Sequence, residues 1–87
     1  MPSPSEIRVI LEERGSNYGP YGEHAKLTQD WKDRAREHEG WWRLSLSQRE
    51  AIDMIFHKLG RIINGNPDYK DSWTDIRVYV QLVEDEL

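Results

Sequence analysis

The sequence predicts an all-α fold: a small domain of three to four helices around a central helix hairpin. Three observations predict it. Apolar residues recur at helical spacing in four separate segments, and capping and stop signals bracket those segments. No stretch gives a strand signal of comparable strength, and there is no internal repeat or low-complexity tract.

The first helix is predicted over residues 3–14. Ser3-Pro-Ser-Glu6 combines a capping box with a proline at the first helical position, and Ile7, Ile10 and Leu11 follow at helix spacing. Gly15 is expected to stop it. Gly15 to Gly22 holds three Gly and a Pro in eight residues and reads as a turn-rich loop. Its Tyr18 and Tyr21 either anchor the loop to the domain or lay an aromatic ring against a ligand. A second helix, 23–39, carries a thin apolar stripe of His24, Leu27, Trp31 and Ala35, with Gly40 closing it. Trp41 and Trp42 are adjacent and cannot both face one core, so one of them is expected at the surface or an interface.

The central helix, 47–64, opens on a second capping box, Ser47-x-x-Glu50, and ends at Asn64-Gly-Asn-Pro67. Ala51, Ile52, Ile55, Phe56, Leu59, Ile62 and Ile63 lie on one broad face. Glu50, Asp53, His57 and Arg61 lie opposite, with Lys58 at the margin. Asp71 or Ser72 is expected to cap a last helix, 72–86, whose core stripe is Trp73, Ile76, Val80 and Val83.

A chain of 87 residues makes one domain. Only about 60% of its unfolded surface is buried at this size, so a homo-oligomer that pairs helices is expected. The net charge of −4 argues against general nucleic-acid binding while leaving room for a small phosphate ligand. With no cysteine, disulfides, zinc–thiolate sites and thiol nucleophiles are all excluded. No apolar run is long enough for a signal peptide or a membrane span, so a soluble cytoplasmic protein is expected.

Carboxylates and a basic pair are the chemistry on offer. Glu50-x-x-Asp53 and Asp71-x-x-x-Asp75 each set two carboxylates one helical turn apart, the spacing at which two acids share a divalent cation. Solvated helix faces and an N-cap at Asp71 are the plainer readings. Lys58 and Arg61 either grip one phosphate or pair with Asp71 and Asp75 across the hairpin. Asp53 and His57, at i and i+4, suit a hydrogen-bonded pair or a metal. There is no glycine-rich phosphate loop, nucleophile elbow or HExxH motif.

Tyr18, Gly19, His24, Asp53, His57, Lys58, Arg61, Asn64, Gly65, Pro67, Tyr69, Asp71, Ser72, Trp73, Asp75, Ile76 and Tyr79 form a pattern. It resembles a family of small phage and prophage proteins with a KxxR…DSWxDI…Y signature. That family is similar in turn to the MazG-like all-α nucleoside triphosphate pyrophosphohydrolases and to phage nucleotide-modification-associated domains. The resemblance implies a nucleotide-binding protein of the infected bacterial host's cytoplasm, one that sequesters a host defence nucleotide without needing a cofactor. Lys58 and Arg61 would meet phosphate, Tyr18 or Trp73 would stack on a base, and His24, His57, Asp71, Asp75 and Tyr79 would complete the site. Its alternative implication is a Mg²⁺-dependent pyrophosphohydrolase with Glu50, Asp53, Asp71 and Asp75 on the metal. MazG-type enzymes pair an E-x-x-E helix with an E-x-x-D helix, and no E-x-x-E lies between Glu23 and Glu39. A third expectation, independent of the resemblance, is a protein-binding inhibitor that uses the acidic surface and Trp41-Trp42.

Overall fold

Ser3 caps the first helix as expected: its hydroxyl accepts from the Glu6 amide, and the Glu6 side chain accepts from the Ser3 amide. The computed structural model describes all residues, 1–87. They form four α-helices: α1 (Pro4–Tyr18), α2 (Tyr21–Arg36), α3 (Leu46–Asn64) and α4 (Lys70–Glu84). A 3-10 turn, Glu39–Arg43, lies between α2 and α3, and there are no strands. No helix is long and apolar enough to cross a membrane.

Gly15 does not stop α1. The Ser16 hydroxyl and the Asn17 amide both donate to the Glu13 carbonyl, and the helix runs on to Tyr18. The stop is Gly19, whose φ of 75° lies in the left-handed region that favours glycine. The expected eight-residue loop therefore shrinks to Gly19-Pro20, and α2 starts at Tyr21 without a side-chain cap. It ends at Arg36, three residues early, because the chain tightens into the 3-10 turn.

Two candidate capping boxes compete at the start of α3, and the upstream one prevails. Ser45 accepts from the Gln48 amide while Gln48 accepts from the Ser45 amide, so the cap is Ser45 rather than Ser47. On α4 neither Asp71 nor Ser72 is the cap. The helix begins at Lys70 after Tyr69, and Ser72 is buried.

α3 is the axis, with α2 packed on one side and α4 on the other. Both its faces are therefore covered. The face expected to be polar is turned to α2 and α1: Asp53 meets Arg36, His57 meets His24, and Arg61 covers the Tyr18 ring. Trp31 and Phe56 add an aromatic contact between α2 and α3, centroids 5.9 Å apart. On α4 the expected stripe is displaced. Trp73 and Val80 are exposed, while Ser72, Asp75, Ile76, Tyr79 and Val83 are the more covered residues. Two constraints set that phase: Trp73 donates its indole N–H to the Pro67 carbonyl at the rim, and Asp75 pairs with Lys58 of α3. Of the adjacent tryptophans, Trp41 is buried and Trp42 exposed, as the sequence required of such a pair.

The buried apolar core is small: Trp41, Ala51 and Ile62, joined by the polar His24, Thr28 and Ser72. What makes it possible is Gly60, which is buried on α3. A Cβ there would lie 2.5 Å from the Thr28 methyl and 2.9 Å from the His24 ring. Gly60→Ala should therefore destabilise the fold although alanine is the better helix former. Overpacking costs about 1–3 kcal/mol against about 1 kcal/mol gained in propensity. Denaturant melts read the difference, and an alanine variant more stable than the parent would refute the close approach.

Candidate functional site

The end of α1, the start of α2 and the end of α3 enclose a cavity of about 580 Å³. Its lining includes Arg14, Tyr18, Tyr21, His24, His57 and Arg61, with Leu11 at one edge. Backbone contacts between turns fix the walls. The Asn64 side chain donates to the Tyr18 and Pro20 carbonyls at 3.0 and 2.8 Å, and the Asn66 amide donates to the Asn17 carbonyl at 2.7 Å. Gly65 must be glycine for this, because a Cβ would lie 2.2 Å from the Asn17 carbonyl oxygen.

Inside, His24 Nε2 and His57 Nδ1 are 3.2 Å apart, with the rings edge to face at 4.7 Å. One ring must donate and the other accept, which two imidazolium ions cannot do. Burial favours the neutral pair. It pushes the His57 pKa down to about 4, helped by Arg61, His24 and the nearby lysines. His24 is lowered as well, chiefly by burial, with a smaller opposing contribution from the Gly60 backbone. The Arg61 guanidinium lies 4.1 Å from the Tyr18 ring centroid, and Tyr69 meets the same ring edge-on at 5.8 Å. Neither Arg14 nor Arg61 has a carboxylate within ion-pair distance. The uncapped first turn of α2 adds unsatisfied amides beside Tyr21.

Of the residues singled out in the sequence, this cavity gathers Tyr18, His24, His57 and Arg61. Lys58 is not among its walls: it turns to α4 and pairs with Asp75 at 2.8 Å. Arg14 is the cavity's other cation. Asp71 is exposed in the first turn of α4, where it raises the pKa of the Tyr69 hydroxyl beside it. Trp73 is exposed at the rim. Tyr79, Glu50 and Asp53 line a second cavity of about 730 Å³ together with Trp41, Trp42, Arg36 and Arg49. There Asp53 pairs with Arg36 at 3.0 Å, while its other oxygen is buried without a partner. Glu50, Asp53, Asp71 and Asp75 are thus divided between elements, and no group of three or more His, Asp or Glu is placed to hold a metal ion.

The smaller cavity is the better candidate although the other is larger. The larger one has already matched Arg36 to Asp53, and it seats Arg36 and Arg49 over Trp41 and Trp42. The smaller one holds unmatched cations, neutral donors and acceptors, and aromatic rings in one concave space, the combination a bound anion with a planar part requires. Sequence reasoning missed Arg14 because it ended the helix at Gly15. Extended to Tyr18, the helix sets Leu11, Arg14 and Tyr18 on one face at i, i+3 and i+7.

No protein family, no curated protein and no solved structure matches this chain.

The histidine pair has a pH signature. An unfolded chain takes up a proton at His57 near pH 6.5, whereas the native state does so only near pH 4. Stability is therefore lost as pH falls through that window, with no further loss from this group below it, and His24 acts in the same direction. His57→Gln should flatten the decline between these two values in urea melts. An unchanged slope would mean that the imidazole pair is not its source.

Proposed function

We propose that the cavity between α1, α2 and α3 binds a small nucleotide. Carrying this reading is the convergence of Arg14 and Arg61 on a cavity with neutral His24 and His57 and two tyrosines, in a chain of net charge −4. The guanidiniums suit phosphate through forked hydrogen bonds, the imidazoles suit ribose hydroxyls, and a Tyr21 ring 80% exposed is free to meet a base. Arg61 keeps its edge N–H groups for a ligand while its face rests on Tyr18.

The wider reading follows the phage-family and MazG-like resemblance: a homo-oligomeric protein in the cytoplasm of an infected host that captures a defence nucleotide intact. A second reading, Mg²⁺-dependent pyrophosphohydrolysis, draws support from Glu50 and the unpartnered oxygen of Asp53 in the larger cavity. Thermal melting against a nucleotide panel, with Mg²⁺ or EDTA, separates the two. A ligand at about 100 times its dissociation constant stabilises by roughly 2.7 kcal/mol. A shift in EDTA with the ligand recovered intact supports capture. A shift that needs Mg²⁺, with monophosphate and pyrophosphate released, supports hydrolysis. No shift anywhere turns attention to Trp42 as a protein-binding surface.

Side-chain removal tests the assignment of phosphate. Arg61→Ala and Arg14→Ala should each weaken binding about ten- to a hundredfold, the loss of one charged hydrogen bond. Lys58→Ala should leave affinity unchanged and lower stability by up to about 1 kcal/mol, because Asp75 is partly solvated. Calorimetric titration measures all three. Wild-type affinity in both arginine variants would overturn the site.

A further inference from the structure

The contact between His24 and His57 can run in two directions, and they offer opposite chemistry to the cavity. If His57 donates from Nδ1 to His24 Nε2, its own Nε2 is a lone pair; if His24 donates, His57 Nε2 carries a hydrogen. His57 lines the cavity, and its Nε2 has no protein partner and is not buried. A ligand in the cavity therefore meets whichever group that nitrogen presents.

The far end of the pair decides the direction. His24 Nδ1 is buried and completes no hydrogen bond of its own. What it packs against is the Gly60 backbone: a Cβ on Gly60 would lie 2.9 Å from Nδ1. Gly60 sits inside α3, where its N–H is committed to the preceding turn, but its carbonyl oxygen keeps a second lone pair. Of Gly60, only the carbonyl can answer Nδ1. A hydrogen on Nδ1 is drawn to that carbonyl, whereas a lone pair there would be buried with no donor to meet it. The acidity of the ring has the same polarity. Burial lowers the His24 pKa, and the Gly60 backbone opposes it, as an acceptor does. With Nδ1 protonated and the ring neutral, Nε2 must accept, so His57 is the donor.

We propose that the pair runs one way, from His57 to His24 and on toward the Gly60 carbonyl, leaving His57 Nε2 as a bare acceptor that selects ribonucleotides through a sugar hydroxyl. This rests on the nucleotide reading above and narrows it. A lone pair repels phosphate oxygens, which carry little hydrogen at neutral pH, so His57 is not a phosphate contact. Arg61 is, one turn further along the same face of α3, and a ribose hydroxyl lies a few bonds from its phosphate. Successive hydrogen bonds polarise one another, which makes the terminal lone pair a stronger acceptor than that of a lone imidazole. A sugar without hydroxyls leaves it desolvated and unanswered.

Two measurements test the two halves separately. At pH 7 a long-range proton–nitrogen spectrum of the ligand-free protein reads which nitrogen of each ring carries hydrogen, with His24→Gln and His57→Gln assigning the signals. Both rings should be Nδ1–H. The reverse direction makes both Nε2–H, and that result or an average of the two would overturn the relay. His38 is an internal reference: its Nδ1 accepts from the Gly40 amide at 3.0 Å, so its neutral ring carries hydrogen on Nε2. Calorimetric titration of the four ribonucleoside 5′-monophosphates against their 2′,3′-dideoxy counterparts then reads the ligand. For the base that binds tightest, loss of the hydroxyls should weaken binding about three- to tenfold, the worth of one neutral hydrogen bond. His57→Ala should erase that preference, while His57→Gln, whose amide oxygen still accepts, should keep part of it. Equal affinity in the parent, or a preference that survives His57→Ala, would overturn the sugar contact. If no monophosphate of either kind binds, the sugar contact falls together with the nucleotide reading, and the spectrum alone decides the relay.

Discussion

Four helix ends meet at one asparagine. α1 finishes, α2 starts, α3 finishes and α4 starts within a few residues of Asn64, whose side-chain amide spans the Gly19-Pro20 turn through two carbonyls. Adjacent glycines let the two turns touch backbone to backbone, at distances where any side chain would collide. Everything in the candidate site depends on that clasp. It sets the Tyr18 ring under Arg61, and it brings the start of α2 close enough for His24 to reach His57.

Gly60 performs the corresponding task midway along the α2–α3 contact. Where a core of large side chains would hold two helices apart, this one brings them together over a hydrogen and seats a histidine and a threonine against it. The result is a polar packing layer that serves two ends. It contributes to a core with few large apolar residues, and it strips water from two imidazoles so that they stay neutral beside two arginines. A cavity lined by uncharged donors and fixed cations attracts anions without changing its own charge near neutral pH.

The helices were legible because their signals are local. Spacing of Ile, Leu and Val, the Ser3 capping box and the Asn64-Gly65 stop need no tertiary knowledge. Boundaries failed where two local signals competed: Ser45 against Ser47 as caps, and Gly15 against Gly19 as stops, with the left-handed turn deciding the second. The site was half legible for a different reason. Tyr18, His24, His57 and Arg61 stood out by residue type, but periodicity says which residues share a face and not which helix that face meets. It assigned the polar side of α3 to solvent and to α4, whereas α1 and α2 cover it and only Lys58 reaches α4. Arg14 looked like any surface arginine until the helix carrying it was lengthened by one turn.

The clasp also has a kinetic side. Its side-chain bonds join residues 46 and 44 positions apart, while α3 and α4 are connected by the five residues between them. Closing the longer loop costs more chain entropy, and it is repaid only when both turns are already shaped. The α3–α4 hairpin can form from neighbouring contacts; the cavity cannot. Its walls therefore meet only once that longer loop has closed, whereas the α3–α4 hairpin needs only its five-residue turn.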